Sequence, residues 1–170
     1  MTIVPQEAPV EEARVRELED RQAITDVLFR VAVGIDLADA ELLATTVTDD
    51  AVVDLGPATR KIGSDFPAME SSEQATGTHL RAVGSPDTSH SMTSMRVSLS
   101  GDTATADCSV MAQHFLPGEG SRPDRTAHAL EMNLWAAAFL RTAEGWRIRR
   151  LDVNNAWFEG DPSILVTKNT

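Results

Sequence analysis

Hydrophobic residues follow a helical period in the first part of the chain and alternate with polar residues in the last part. From Val10 to about Asp36 they recur at three- and four-residue steps, which predicts a long helix with one buried stripe. Asp39 is positioned to cap a second short helix, AELLATTV. The following AVVDLG, closed by Gly56 and Pro57, predicts a first strand.

The rest of the chain predicts a helical insert and then long strands. Gly, Pro, Ser and Thr are scattered through residues 57–87, with room for one or two short helices that cover a cavity. A Gly-Asp turn inside residues 88–115 predicts a hairpin, and WRIRRLDVNNAWF predicts a last strand. Between them, AHALEMNLWAAAFLRT alternates over its whole length, which favours a strand, although its alanines leave a helix open. Two helices, one strand, a short helical insert and three long antiparallel strands make an α+β pattern.

Length and composition indicate one globular domain. We expect a flexible N-terminal arm over residues 1–10, a single domain over 11–160 and a C-terminal tail over 161–170 of the 170 residues. The net charge of -11 argues against nucleic-acid binding, which needs a basic surface. No stretch has the apolar length of a membrane span or the pattern of a signal peptide, and the single cysteine, Cys108, lies in an apolar strand pattern. These features predict a cytoplasmic protein with a buried thiol.

The sequence lacks the motifs of several common chemistries. It contains no glycine-rich phosphate loop, no GxSxG elbow and no CxxC pair, so we expect neither a nucleotide cofactor nor a serine nucleophile. Asp49, Asp50 and Asp54 lie close together but have no histidine or cysteine at ligand spacing, and aspartates are common at helix-to-strand junctions. We therefore predict no metal and no cofactor.

Three phrases resemble one known superfamily: AVGIDLADAELLATTVTDDAVVDLG, the hinge SGDTATAD, and the closing EGWRIRRLDVNNAWFEG. With the order of elements, they are similar to the nuclear transport factor 2-like superfamily, and within it to the SnoaL-like group of polyketide cyclases and scytalone dehydratase, over about residues 12–160. The resemblance implies a cone-shaped α+β barrel, in which a curved antiparallel sheet wraps around N-terminal helices and encloses an apolar cavity. The scaffold hosts many chemistries, so the fold alone does not give the function.

The resemblance also implies site residues. Asp36, His90 and His114 fall where the scytalone dehydratase branch has an aspartate and two histidines. The branch's polar pair on the strand before the last falls near Asn133 and Trp135, which are candidates for substrate binding. Leu55 and Trp157 are two further candidates for lining the cavity.

The chain departs from the branch at two places. The tyrosines that hold the substrate there are replaced by Ile35 and Leu55, so dehydration of scytalone itself is not implied. An aspartate that orients a histidine still makes a proton shuttle near neutral pH. The sequence thus predicts a cofactor-independent acid/base lyase or isomerase (dehydratase, isomerase or aldol-type cyclase) for a small, mostly apolar oxygenated ring or polyketide.

Two questions stay open at this point. A binding or assembly module that keeps the pocket without chemistry is the alternative function, because the tyrosine hydroxyls are missing. The second face of the AHALEMNLWAAAFLRT strand is rich in Ala, Leu and Met, which predicts a homo-oligomer, with a dimer favoured over a trimer.

Overall fold

The structure is a computed structural model. It describes residues 8–83, 87–116, 118, 122, 124 and 127–165, with the backbone alone for residues 8, 9 and 78–83.

Helix α1 spans Ala8–Asp36 and carries the predicted buried stripe along one face. Ile24, Val27, Leu28, Val31 and Ile35 of this stripe are 0–6% exposed. The helix begins two residues before Val10, so the last part of the expected arm, residues 8–10, is helical, whereas residues 1–7 lie outside the described chain. No described helix is long and apolar enough to cross a membrane.

Helix α2, Ala40–Ala44, follows α1 after a sharp turn. The Asp39 carboxylate accepts a hydrogen bond from the Leu42 N–H at 2.9 Å, which is the predicted cap. Ala38 adopts a left-handed conformation with φ of +52°, and the Asp39 N–H donates to the carbonyl of Gly34 at 2.8 Å. This left-handed turn ends α1 and leaves Asp36 at its C-terminus.

The remaining helices and strands follow the predicted order. They are β1 Val47–Asp54, α3 Gly56–Thr59, a 3₁₀ turn Arg60–Ile62, α4 Ser72–Val83, β2 Asp87–Ser100, β3 Thr103–Phe115, β4 His128–Thr142, β5 Gly145–Gly160 and a 3₁₀ turn Pro162–Leu165. Four long strands follow the insert rather than three, because the first arm of the predicted hairpin is itself a full strand, β2. The open alternative of a helix at β4 is excluded.

The five strands form one curved sheet in the order β1-β5-β4-β3-β2. Strands β2 to β5 pair antiparallel, whereas β1 pairs parallel with β5, so the sheet is mixed. The chain returns to the β1 edge after crossing the whole sheet, and this return sets the parallel pairing. The architecture is the expected α+β cone, with the sheet left open.

The core lies between the sheet's concave face and the helices. Alternate residues of β3 point to this face, and the buried ones are Ala104, Ala106, Cys108, Val110, Ala112 and His114. On β4 the same face carries Ala129, Asn133, Trp135, Ala137 and Phe139. Apolar residues fill one end of this face, whereas polar residues gather at the other, next to the end of α1.

Candidate active site

Asp36 and His90 form a partly buried pair where the end of α1 meets β2. The imidazole Nδ1 of His90 lies 2.6 Å from Asp36 Oδ1, and the His90 backbone N–H donates to Oδ2 at 2.9 Å. The Thr88 hydroxyl donates to Oδ1 at 2.9 Å. The side chain of His90 is 6% exposed and that of Asp36 is 23% exposed. The three hydrogen bonds satisfy a carboxylate at a helix C-terminus, where the helix dipole disfavours an anion.

These contacts keep Asp36 ionised. Burial opposes the charged form, yet the hydrogen bonds from the His90 side chain and backbone and from Thr88 lower the pKa of Asp36 below its ordinary value. A carboxylate only accepts hydrogen bonds, so the proton between the two groups is on Nδ1 of the imidazole. Nε2 is then the nitrogen of His90 that is free to exchange a proton with a ligand.

His114 lies beside His90 on β3. The two ring centroids are 5.8 Å apart and the rings meet edge to face. His114 is 4% exposed, so its side chain is buried although it lies one residue before the end of β3. The register pairs Thr88 with His114 and His90 with Ala112, which places both histidines on the concave face at one end of the sheet.

A hydrogen-bonded network of polar side chains lies on β4 and β5 beside the histidines. Asn155 Nδ2 donates to Asn133 Oδ1 at 3.0 Å, and Asn133 Nδ2 donates to Glu131 Oε2 at 2.8 Å. Both asparagines are buried, at 5% and 4% exposure. Lys61 donates to the backbone carbonyl of Asn155. Asn133, predicted from the sequence, is thus held by hydrogen bonds to its neighbours on β4 and β5.

Glu131 is the residue of this site that sequence reasoning missed. Burial raises the pKa of its carboxyl, although the hydrogen bond from Asn133 and the charge of His90 lower it in part. The signal was present in the alternation of β4, because residue 131 has the same parity as Asn133 and Trp135.

Trp135 connects the polar end of the face to an apolar cavity of about 40 Å³. Its indole ring lies 6.3 Å from the His90 ring, and the side chain is 4% exposed. The indole N–H finds no hydrogen-bond partner among the described residues, so it can donate to a ligand. The cavity is otherwise lined by apolar side chains and two threonines: Val31, Ile35, Leu43, Thr46, Val47, Val53, Ala75, Thr76, Ile148, Leu151 and Val153.

Two of the predicted substrate contacts lie elsewhere. Trp157 is 43% exposed and pairs with Met132, so it lies on the convex face of the sheet, and its assignment to the cavity is wrong. The register shifts between Met132 and Asn133, and this bulge inverts the alternation that the sequence implied. Phe158, opposite Glu131, takes the inner position. Leu55 is half-buried and packs against the hydrophobic core rather than lining the cavity.

The aspartates near β1 do not form a metal site. Asp54 Oδ1 accepts the Gly56 N–H at 2.8 Å, which is a turn contact, and Asp49 and Asp50 are exposed. Within the described chain, no group of three or more His, Cys, Asp or Glu side chains is arranged to hold a metal ion.

The chain matches a known family over most of its length. Residues 16–152 match the SnoaL-like domain. The protein belongs to the SnoaL-like family. A curated relative, the terrestric acid biosynthesis cluster protein E of Penicillium crustosum, is 31% identical over 151 residues, which cover 87% of this chain and 90% of the relative.

Several solved structures share the fold at low sequence identity. The Kfla4162 protein of Kribbella flavida superposes with a TM-score of 0.75 and 24% identity, covering 88% of this chain and 98% of that one. The hexachlorocyclohexane dehydrochlorinase LinA-type3 of Novosphingobium barchaimii superposes with a TM-score of 0.70 and 19% identity, covering 87% and 94%. These likenesses establish the architecture, and the chemistry must be argued from this chain's own residues.

Proposed function

We propose that this SnoaL-like protein is a cofactor-independent acid/base enzyme of the lyase or isomerase type, acting on a small oxygenated ring or polyketide-type metabolite. The observation that supports it most is the partly buried contact of 2.6 Å between Asp36 Oδ1 and His90 Nδ1. Such a contact fixes the tautomer of the imidazole and makes Nε2 a base. The apolar cavity next to it would exclude water and strengthen each hydrogen bond to the substrate.

Five of the predicted site residues take a role in this proposal. Asp36 orients His90 and balances its charge. His90 Nε2 removes a hydrogen from a carbon next to a carbonyl, and His114, edge-on to it, is the second proton carrier of the histidine pair. The Trp135 N–H and the Asn133 network hold polar groups of the substrate, while the apolar side chains hold its ring. Water elimination, double-bond migration and aldol closure all begin with this proton transfer.

Elimination chemistry is supported by one protein of the same fold, a dehydrochlorinase by name, and action on a small metabolite by the relative from a biosynthetic cluster. Loss of HCl or of water beside an acidic C–H needs a base and an exclusion of bulk solvent, both of which the site offers. We include in the proposal a cytoplasmic homodimer, formed through the convex face of the sheet.

A deuterium-exchange assay separates the enzyme from a silent binding module. The probe is 2-tetralone, a bicyclic ketone with acidic hydrogens beside its carbonyl, and proton NMR in D₂O follows their loss. The enzyme is expected to accelerate exchange well above the buffer rate. A binding module would quench tryptophan fluorescence on adding the ketone while leaving the exchange at the buffer rate, and that result would remove the catalytic proposal.

A further inference from the structure

Glu131 faces His90 across a single small residue. The register pairs His90 of β2 with Ala112 of β3, and Ala112 with Glu131 of β4. Residues paired across neighbouring strands share one face of the sheet, so all three side chains point to the concave side. The backbones of the two outer strands lie roughly 10 Å apart, two strand spacings. Ala112, which contributes only a methyl group, is the residue between the imidazole and the carboxyl.

The hydrogen bonds around Glu131 engage one of its two carboxyl oxygens. Asn155 Nδ2 donates to Asn133 Oδ1, so the amide of Asn133 must present its nitrogen to Glu131. That nitrogen donates to Oε2 at 2.8 Å. Oε1 has no hydrogen-bond partner among the described residues, and it is the oxygen available to carry a proton.

Burial rather than neighbouring charge favours the neutral form of Glu131, since the charge of His90 lowers the pKa of this carboxyl in part. The titratable groups on the elements around it are His90 on β2, His114 on β3 and Asp36, which contacts His90 from the end of α1, while Phe158 is paired with it on β5. The ammonium of Lys61 is engaged by the backbone carbonyl of Asn155. In the part of the chain that the structure describes, no arginine or lysine pairs with Glu131. Burial of an unpaired carboxyl raises its pKa, so it keeps a proton to a higher pH than an exposed glutamate.

We propose that Glu131 is a third proton-transfer group of the site, beside the two histidines, which protonates the oxygen of the substrate while His90 acts on the neighbouring carbon. The inference rests on the proposed function and names a third residue for it. His90 Nε2 takes the hydrogen from the carbon next to the carbonyl, and the C–H electron pair becomes the C=C bond of an enol. Glu131 Oε1 gives its proton to the carbonyl oxygen, leaving a carboxylate opposite an imidazolium. Return of both protons by the reverse step restores the ketone, with deuterium at carbon when the solvent is D₂O.

The first test is a carbon-13 NMR titration of the glutamate carboxyls of the full chain, with the Glu131 signal assigned by its loss in Glu131→Gln. The expected result is that Glu131 deprotonates above the ordinary range of a glutamate, and that the step also moves the His90 ring signals. Deprotonation within the ordinary range, as for an exposed glutamate, would overturn the inference. This titration needs no substrate, so its outcome is independent of whether the dyad catalyses exchange.

The second test is the 2-tetralone exchange assay on Glu131→Gln, with Glu159→Gln as the matched control. Glu159 lies exposed on β5, so its variant makes the same charge change away from the site. Glutamine keeps the shape and the Asn133 contact but cannot transfer a proton. We expect exchange to fall about 100-fold or more, the low end of the effect of a general acid or base, with fluorescence-detected binding retained and Glu159→Gln unchanged. Exchange by Glu131→Gln at the wild-type rate would overturn the role of Glu131.

A third variant separates loss of the carboxyl group from loss of the folded structure. Glu131→Asp keeps a carboxyl and withdraws it by one methylene, so partial activity is expected from it. If Glu131→Asp shows no more exchange than Glu131→Gln although both variants unfold cooperatively, a carboxyl at this position does not support exchange, and the proton-transfer role is contradicted.

Discussion

Asp36 holds His90 at two points, accepting a hydrogen bond from the imidazole Nδ1 at 2.6 Å and another from the backbone N–H at 2.9 Å. The backbone contact fixes where β2 meets α1, and the side-chain contact fixes the ring. One carboxylate therefore sets both the position and the tautomer of the histidine.

The first prediction concerns that tautomer. In nitrogen-15 NMR of the neutral imidazole, His90 is expected to carry its proton on Nδ1 in the wild type and to show a mixture of tautomers in Asp36→Asn, because a neutral amide is a weaker acceptor. Thr88→Val is the control, since it removes only the hydroxyl contact to the same carboxylate. A wild-type imidazole protonated on Nε2 would contradict the assignment.

A second carboxylate, Asp20, joins α1 to strands β4 and β5. It accepts two hydrogen bonds from Arg141, at 2.7 and 2.6 Å, and one from the Trp146 indole at 2.9 Å. The Arg141 guanidinium also lies 4.3 Å from the centre of the Trp146 ring. The hydrogen bond from Arg141 is the main cause that lowers the pKa of Asp20, against a partial desolvation.

We expect Asp20→Asn to lower the free energy of unfolding at pH 7 by about 1–2 kcal/mol, since charge-assisted hydrogen bonds are lost from a partly exposed pair. A lowered pKa in the folded state contributes stability above the unfolded pKa of about 4 and loses it as the pH falls. The difference between variant and wild type should therefore shrink below about pH 4, as urea unfolding would measure. Asp102→Asn removes a carboxylate 80% exposed beside the same arginine and should cost less. Equal costs for the two variants would show that burial of Asp20 is irrelevant.

The single cysteine gives a test of the core. Cys108 is 5% exposed on the concave face, and burial, together with the charge of Asp107, raises the pKa of its thiol to about 11. The thiolate is the reactive form, so the native protein should react with Ellman's reagent only at its unfolding rate. Rapid stoichiometric labelling at pH 8 without denaturant is the opposing outcome, and guanidinium-unfolded protein serves as the reference.

We expect the convex face of the sheet to form the interface of a homodimer. Leu134 and Trp157 are 44% and 43% exposed there, and an apolar patch of this kind is typical of an interface between copies. Light scattering at micromolar concentration should give a mass of two chains, and Leu134→Glu should give one. Leu18→Glu, on α1 and 67% exposed in the wild type, is the matched control and should leave the mass unchanged. A wild-type mass of 18.4 kDa would contradict the dimer.

The helices and strands were largely predictable because each has a clear period. The stripe from Ile24 to Ile35 and the alternation along β4 correspond to buried faces in the structure. The parallel pairing of β1 with β5 was not predictable, since hydrophobic alternation says which face is buried but nothing about which strand lies alongside.

The site residues were predicted from their places in the family resemblance more than from the pattern of hydrophobic residues. The resemblance placed Asp36, His90 and His114 together, and they do lie together in the structure. The prediction that Trp157 lines the cavity failed because of one bulge on β5. The bulge moves each later side chain of the strand to the opposite face of the sheet, and sequence alternation does not reveal a bulge. Glu131 was missed because a glutamate in an alternating strand is normally assigned to the solvent side, although its parity indicated the inner one.

The rate of 2-tetralone deuterium exchange in wild type, Asp36→Asn and His90→Gln tests the central claim most directly. Both substitutions preserve side-chain size, and thermal unfolding checks that the fold is kept. The account predicts that each variant exchanges at least about 100-fold more slowly than the wild type. Exchange at the wild-type rate by either folded variant would contradict the account, because the proton would then move without the Asp36–His90 pair.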